Sequence, residues 1–141
     1  MKKYKNIEVF IGDEFFFDFI EEELIETLKY DNLKKHIISS DNFSDFDNAV
    51  TGIFSFLHFN FIILRNPTAK EINHCVPIIT KNQHSFMLIE INADDYDHRI
   101  KLLQELEKED CLYKVGVASS DKLDVFDLAI LKNRKIFKML Y

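Results

Sequence analysis

Residues 51–67, Thr-Gly-Ile-Phe-Ser-Phe-Leu-His-Phe-Asn-Phe-Ile-Ile-Leu-Arg-Asn-Pro, decide how this chain folds. The second half, Phe59-Asn60-Phe61-Ile62-Ile63-Leu64, is a short, nearly unbroken apolar run closed by Arg65-Asn66-Pro67. A run of that length, ended by a polar pair and a proline, reads as a central strand buried on both faces. In the first half, Ile53, Phe54, Phe56 and Leu57 crowd onto the end of a helix. Neighbouring residues on a helix point about 100° apart, so these four cannot all face inward. A large apolar group is left at a surface, and that is the main functional clue.

Working outward, Ile7-Glu8-Val9-Phe10-Ile11 is a first strand, stopped by Gly12-Asp13. Asp13 is placed to cap a following helix, with Glu14 at the positive end of its dipole. Phe17, Ile20, Leu24 and Leu28 form its buried face, which makes Glu21, Glu22 and Glu23 a solvated acidic face. His36-Ile37-Ile38-Ser39 is a short second strand, and Ser44 with Asp47 caps the helix after it. Phe46, Val50, Ile53 and Leu57 make one stripe on that helix, which places Ile53 inward and leaves Phe54 as the outward side chain. Gly52 within it marks either close packing or an early, loosened helix end.

Beyond the central strand, Thr68-Ala69-Lys70-Glu71 is a capping box opening a third helix, which Pro77 must kink, end or restart. Phe86-Met87-Leu88-Ile89-Glu90-Ile91 is a fourth strand. Asp94-Asp95 starts a fourth helix with Tyr96, Ile100, Leu103 and Leu106 inward, and residues 112–117 make a fifth strand. Strands alternating with helices predict an α/β domain over residues 1–118 with a five-stranded, mostly parallel sheet and flanking helices. Strands one, three and four are central, with Ile11, Ile63 and Leu88 buried, and strand five lies at an edge. Residues 119–141 add a C-terminal helical segment carrying Lys132, Arg134, Lys135 and Lys138.

Composition narrows the function. The 47% hydrophobic and 30% charged residues describe a globular chain. A net charge of −6 argues against nucleic acid as the main ligand, so no direct sequence-specific nucleic-acid binding is expected. Cys75 and Cys111 lack any CxxC spacing and read as buried, reduced thiols of a cytoplasmic protein. Glu8, Asp13 and Glu14 interrupt any signal sequence, and no apolar stretch reaches membrane-spanning length.

The chemistry of common α/β enzymes is missing. With only 3 glycines there is neither GxxxxGK[ST] nor GxGxxG, and the acidic Gly12-Asp13-Glu14 turn repels phosphate. Neither cysteine nor any serine sits in a nucleophile motif. His36, His58, His74, His84 and His98 are scattered, and helix capping accounts for Asp94, Asp95, Asp97 and His98 more cheaply than a metal does. No catalytic residue, cofactor or metal is therefore expected, and ATP is neither bound nor hydrolysed. A degenerate phosphoacceptor receiver, kept as a regulatory or dimerisation module, is the alternative; Asp13 and Glu14 match its acidic pair, but Leu64-Arg65-Asn66 stands where its aspartate belongs. Its working surface would be the last strand and helix, including Tyr113 and the basic residues of 132–138.

Taken in order, these motifs resemble the N-terminal domain of the bacterial DNA polymerase III delta subunit, the clamp-loader wrench. Val9-Phe10-Ile11-Gly12-Asp13-Glu14 leads into Phe17-Asp18-Phe19-Ile20 as that family's first strand leads into an acidic turn and helix. Ile53-Phe54, followed by Phe61-Ile62-Ile63-Leu64-Arg65-Asn66, stands where the family has Leu-Phe, an apolar strand and Arg-Asn. Asp94-Asp95-Tyr96-Asp97-His98-Arg99 with Leu102, Leu103 and Leu106 is similar to a later family segment. The resemblance covers roughly the first 118 residues and implies an AAA+/RecA-like fold without a P-loop. It also implies a non-catalytic role in DNA replication, with a sliding clamp or other clamp-loader subunits as partners. The family's Leu-Phe wedge then falls on Ile53 and Phe54, with Phe56 the next position.

Overall fold

Strands that are apolar on both sides need cover on both faces, and helices supply it here. The computed structural model describes residues 3–114. Strands Ile7–Gly12 (β1), Leu33–Ile38 (β2), Phe59–Arg65 (β3), Ser85–Asn92 (β4) and Leu112–Lys114 (β5) pair in parallel in the order β2-β3-β4-β1-β5. Helices Phe17–Leu28 (α1), Asp45–Thr51 (α2), Ala69–Thr80 (α3) and Lys101–Lys108 (α4) connect them. This is a RecA-like α/β fold.

The strand order fixes which helix covers which face. From β1 the chain crosses to the far edge at β2, then returns through β3 and β4 and passes over β1 to β5. Right-handed crossovers in opposite directions deliver their helices to opposite faces. Phe10, Phe61, Ile63 and Leu88 accordingly pack with Phe17, Ile20 and Leu24 of α1. Val9, Ile11, Ile62, Leu64 and Ile89 pack with Phe46 and Val50 of α2, Ile72 and Val76 of α3, and Leu103 and Leu106 of α4. Ile11, Ile63 and Leu88 are fully buried, and β5 is an edge strand, as the sequence predicts. Cys75 and Cys111 are buried free thiols.

Several local expectations are corrected. Ser44 makes no side-chain cap to α2. That helix also ends earlier, at Thr51: Gly52 N–H bonds to Asn48 O at 2.9 Å, and the glycine then turns extended at φ −65° and ψ 167°. Ile53 and Leu57 therefore leave the Phe46–Val50 stripe and are exposed. The fourth helix begins at Lys101; Ala93–Asp95 is a single 3-10 turn, and Asp97 is engaged by the Arg99 guanidinium at 3.0 Å. The capping box at Thr68 and Glu71 forms as predicted. The helix it opens runs on through Pro77 to Thr80, because Pro77 and the Asn73 carbonyl it leaves unbonded both belong to exposed positions. Glu21 belongs to no solvated face; it is fully buried. The fifth strand beyond Lys114 and the helical segment with its basic residues lie outside the described residues.

Candidate functional site

The exposed apolar group expected from residues 51–67 is real and larger than a single side chain. Ile53 is 81% exposed, Phe54 69%, Phe56 66% and Leu57 49%. They occupy the connection from α2 to β3, at the amino end of the sheet. The expectation that Phe54 faces outward holds, while the inward placement of Ile53 does not. The early helix stop at Gly52 turns all of these groups out together.

This loop is braced rather than loose. Ser55 N–H bonds to Gly52 O at 3.0 Å and Leu57 N–H to Phe54 O at 3.1 Å, closing a 3-10 turn over Ser55–Leu57. Two asparagines from the sheet region hold its ends: Asn60 Nδ2 donates to Ser55 O at 2.8 Å, and Asn32 Nδ2 donates to Leu57 O at 2.6 Å. Asn60 is itself buried, and its Oδ1 lies 3.1 Å from His36 Nε2. Burial of His36 depresses its pKa, despite the hydrogen bond that its Nε2–H donates to Asn60 Oδ1, which opposes the shift. Gly52 is required at the pivot, since a Cβ there would lie 2.3 Å from Asn48 O. Beside the loop, a cleft of about 550 Å³ opens between α2 and the edge strand β2, walled by Ile38, Ile53, Phe54 and Asn60. Phe56 is not part of that wall and is exposed to solvent.

The carboxyl end of the sheet, where α/β folds usually hold ligands, is built differently. Asp13 spends its carboxylate on Phe15 N–H at 2.8 Å, capping the turn before α1. Asn66 N–H bonds to Glu90 O at 2.7 Å, and its Oδ1 accepts from Asn92 N–H at 2.8 Å, tying β3 to β4. Behind them, Arg65 donates Nε to Glu90 Oε1 at 3.0 Å and Nη2 to Glu21 Oε2 at 2.9 Å. Lys35 Nζ stands 2.8 Å from Glu21 Oε1.

Both carboxyls are fully buried. Burial first, and the Glu21 carboxylate second, push the Glu90 pKa up to about 9. Burial opposes ionisation of Glu21 too, but hydrogen bonds from Glu90, Lys35 and Arg65 outweigh it and hold its pKa below the usual range. With the Glu90 pKa raised and that of Glu21 lowered, the pair shares one proton, which burial and the neighbouring Glu21 charge favour on Glu90. Sequence reasoning missed this cluster, although Glu21 shares helical spacing with Phe17 and Leu24, and Arg65 is the register partner of Glu90.

Among the described residues, no group of three or more His, Cys, Asp or Glu side chains is placed to hold a metal ion. No helix among them is long and apolar enough to cross a membrane. The receiver-like alternative loses its fold basis: receivers use the order 2-1-3-4-5, whereas this sheet reads β2-β3-β4-β1-β5. Tyr113, part of the surface it invoked, is buried beneath the α1 side of the sheet, and the 132–138 cluster lies outside the described residues. Comparison with known proteins finds no matching family model, no matching curated protein and no matching solved structure.

Proposed function

We propose that this chain is a non-catalytic protein-binding module whose braced apolar loop inserts into a hydrophobic pocket of a partner, and that the partner is a DNA sliding clamp. The observation that carries the docking role is the exposure of Ile53, Phe54 and Phe56 on a backbone fixed from both sides by Asn32 and Asn60. Scattered exposed apolar residues are ordinary, but a contiguous group on a rigid support is what an interface anchor requires. Pre-ordering the loop removes part of the entropic cost of binding. The clamp enters through the resemblance to the clamp-loader wrench, which assigns the wedge to Ile53 and Phe54.

In this mechanism the loop fills a pocket on the clamp and favours a strained or open ring. A ligand shifts such an equilibrium only by its differential affinity for the two states. Burying each large apolar side chain contributes about 1.5–3 kcal/mol, enough for a useful bias from two or three anchors. ATP is left to other subunits, in keeping with the acidic Gly12-Asp13-Glu14 turn.

The test is binding of the purified full chain to a purified bacterial sliding clamp, with Phe54→Ala and Ile53→Ala measured alongside melting. Loss of binding by variants that melt normally supports the reading. Unchanged binding by both variants, or no binding by the native chain, overturns it. Saturable ATP binding tighter than about 100 μM, roughly −5.5 kcal/mol, would refute the part that assigns no nucleotide site.

A further inference from the structure

We infer that the free edge of β2 is a second docking surface, which takes an extended, acidic segment of a partner protein as an added strand. The inference does not rest on the loop's role or on the identity of its partner.

Residues on a parallel strand point their backbone groups alternately to the two sides. Phe59 N–H bonds to Asn32 O at 2.8 Å, which sets Asn32, Lys34, His36 and Ile38 toward β3. Leu33, Lys35 and Ile37 therefore aim their N–H and C=O groups outward, where β2 has no neighbouring strand among the described residues. At the carboxyl end of this edge Asn42 stands in for a strand. Its Nδ2 donates to Ile37 O at 3.0 Å, and its Oδ1 accepts from Ser39 N–H at 2.7 Å. The edge is finished at one end, where Asn42 takes the Ile37 carbonyl, and open from Leu33 to the Ile37 N–H, a length suited to a short peptide strand.

The side chains say what that strand carries. Lys34 is exposed and has no ion-pair partner among the described residues, whereas Lys35 is committed to buried Glu21. Lys34 lies on the α2 side, above the cleft; Ile37, 43% exposed, also borders that cleft, but strand alternation with Ile38 turns its side chain to the opposite face. A segment with acidic residues on one face and apolar residues on the other matches both. A second copy of this chain does not. Antiparallel pairing of two β2 edges about Lys35 would set lysine directly opposite lysine, which is unfavourable. Lysines on an edge keep like copies apart while leaving the rail open to an acidic segment.

The test uses the isotope-labelled full chain and three blocked peptides: Thr-Glu-Val-Glu-Val-Glu-Thr, its lysine counterpart, and the acidic peptide N-methylated at alternate amides. The expected result is that the acidic peptide shifts the amides of Leu33, Lys35 and Ile37 and binds at least tenfold more tightly than the other two. Lys34→Glu, with melting unchanged, should reverse the preference toward the lysine peptide. Equal binding of acidic and N-methylated peptides overturns the inference. So does an absence of shifts at those amides up to millimolar peptide, or a sedimentation-detected dimer formed through β2.

Discussion

At the amino ends of the strands this molecule turns Ile53, Phe54 and Phe56 outward; at the carboxyl ends it seals Glu21 and Glu90 inside. Each end reverses the ordinary sorting of apolar and charged groups, and each does so with polar bracing. Around the loop, Asn32 and Asn60 bond main-chain carbonyls, so the backbone is satisfied while the side chains remain in water. Around the carboxyl pair, Arg65 and Lys35 supply opposite charge and Glu90 retains a proton, so little net charge is stranded in the core. The difference lies in what each end supports. Burying the carboxyls ties α1 to β2, β3 and β4. Exposing the loop ties nothing else in the fold together, and it forgoes about 1.5–3 kcal/mol of burial for each large side chain. A feature that contributes so little to folding is better explained by binding.

The comparison breaks if the carboxyl end proves dispensable for folding. Arg65→Ala removes the cation shared by Glu21 and Glu90, and stripping one partner from a buried ionic group costs 3–5 kcal/mol in general. Arg65 is 34% exposed, so solvent softens the loss, and about 3 kcal/mol is expected from urea unfolding. A loss below about 1 kcal/mol would mean that the cluster is ornamental.

The next test sets two phenylalanines against each other. Phe46 is fully buried in α2 and Phe54 is exposed beyond it. Phe46→Ala should cost about 3–5 kcal/mol of stability. Phe54→Ala should change stability by less than about 0.5 kcal/mol yet weaken partner binding by about 2 kcal/mol or more. Similar melting losses for the two would erase the distinction between the ends. Gly52→Ala probes the bracing itself. Its Cβ would collide with the Asn48 carbonyl, so the loop must move, with an expected cost of about 1–3 kcal/mol read as both lower stability and weaker binding.

How much of this was legible depends on how far apart the deciding residues lie. The strands of the sheet core were readable because Phe61-Ile62-Ile63-Leu64 and Met87-Leu88-Ile89 declare burial locally, without reference to partners. The outward Phe54 was readable too, but the stripe used to argue it continued to Leu57, past the real helix end. Gly52 was the better signal: a helix that stops there releases Ile53 as well. Glu21 was the clear miss. In a run of three glutamates nothing local separates it from Glu22, and the groups that bury it come from β2, β3 and β4. Its spacing from Phe17 and Leu24 was visible, but charge made the solvated reading look safer. The β2 edge was equally hidden, since only strand order reveals which strand lacks a neighbour.

The smallest expected effect is the most specific to the carboxyl pair. The folded-state pKa of Glu90 is raised from its ordinary 4.5 to about 9, so between those values the native state holds a proton that the unfolded chain has released. Stability changes with pH in proportion to the protons bound by the unfolded state minus those bound by the native state. That difference is negative here, so the contribution from Glu90 is full below pH 4.5 and declines as pH rises toward 9. Glu21 has the opposite sign: its lowered pKa makes stability fall as pH drops below its ordinary 4.5. Glu90→Gln keeps the shape and a donor toward Glu21, an acceptor toward Arg65, and no titratable proton. The variant should therefore be at least as stable as the native chain at pH 8, with its advantage shrinking toward pH 5. Its urea midpoint should be flatter across that window. If the native and variant profiles run parallel from pH 5 to 9, the shared proton is not at Glu90, and the carboxyl end is held by Arg65 and Lys35 alone.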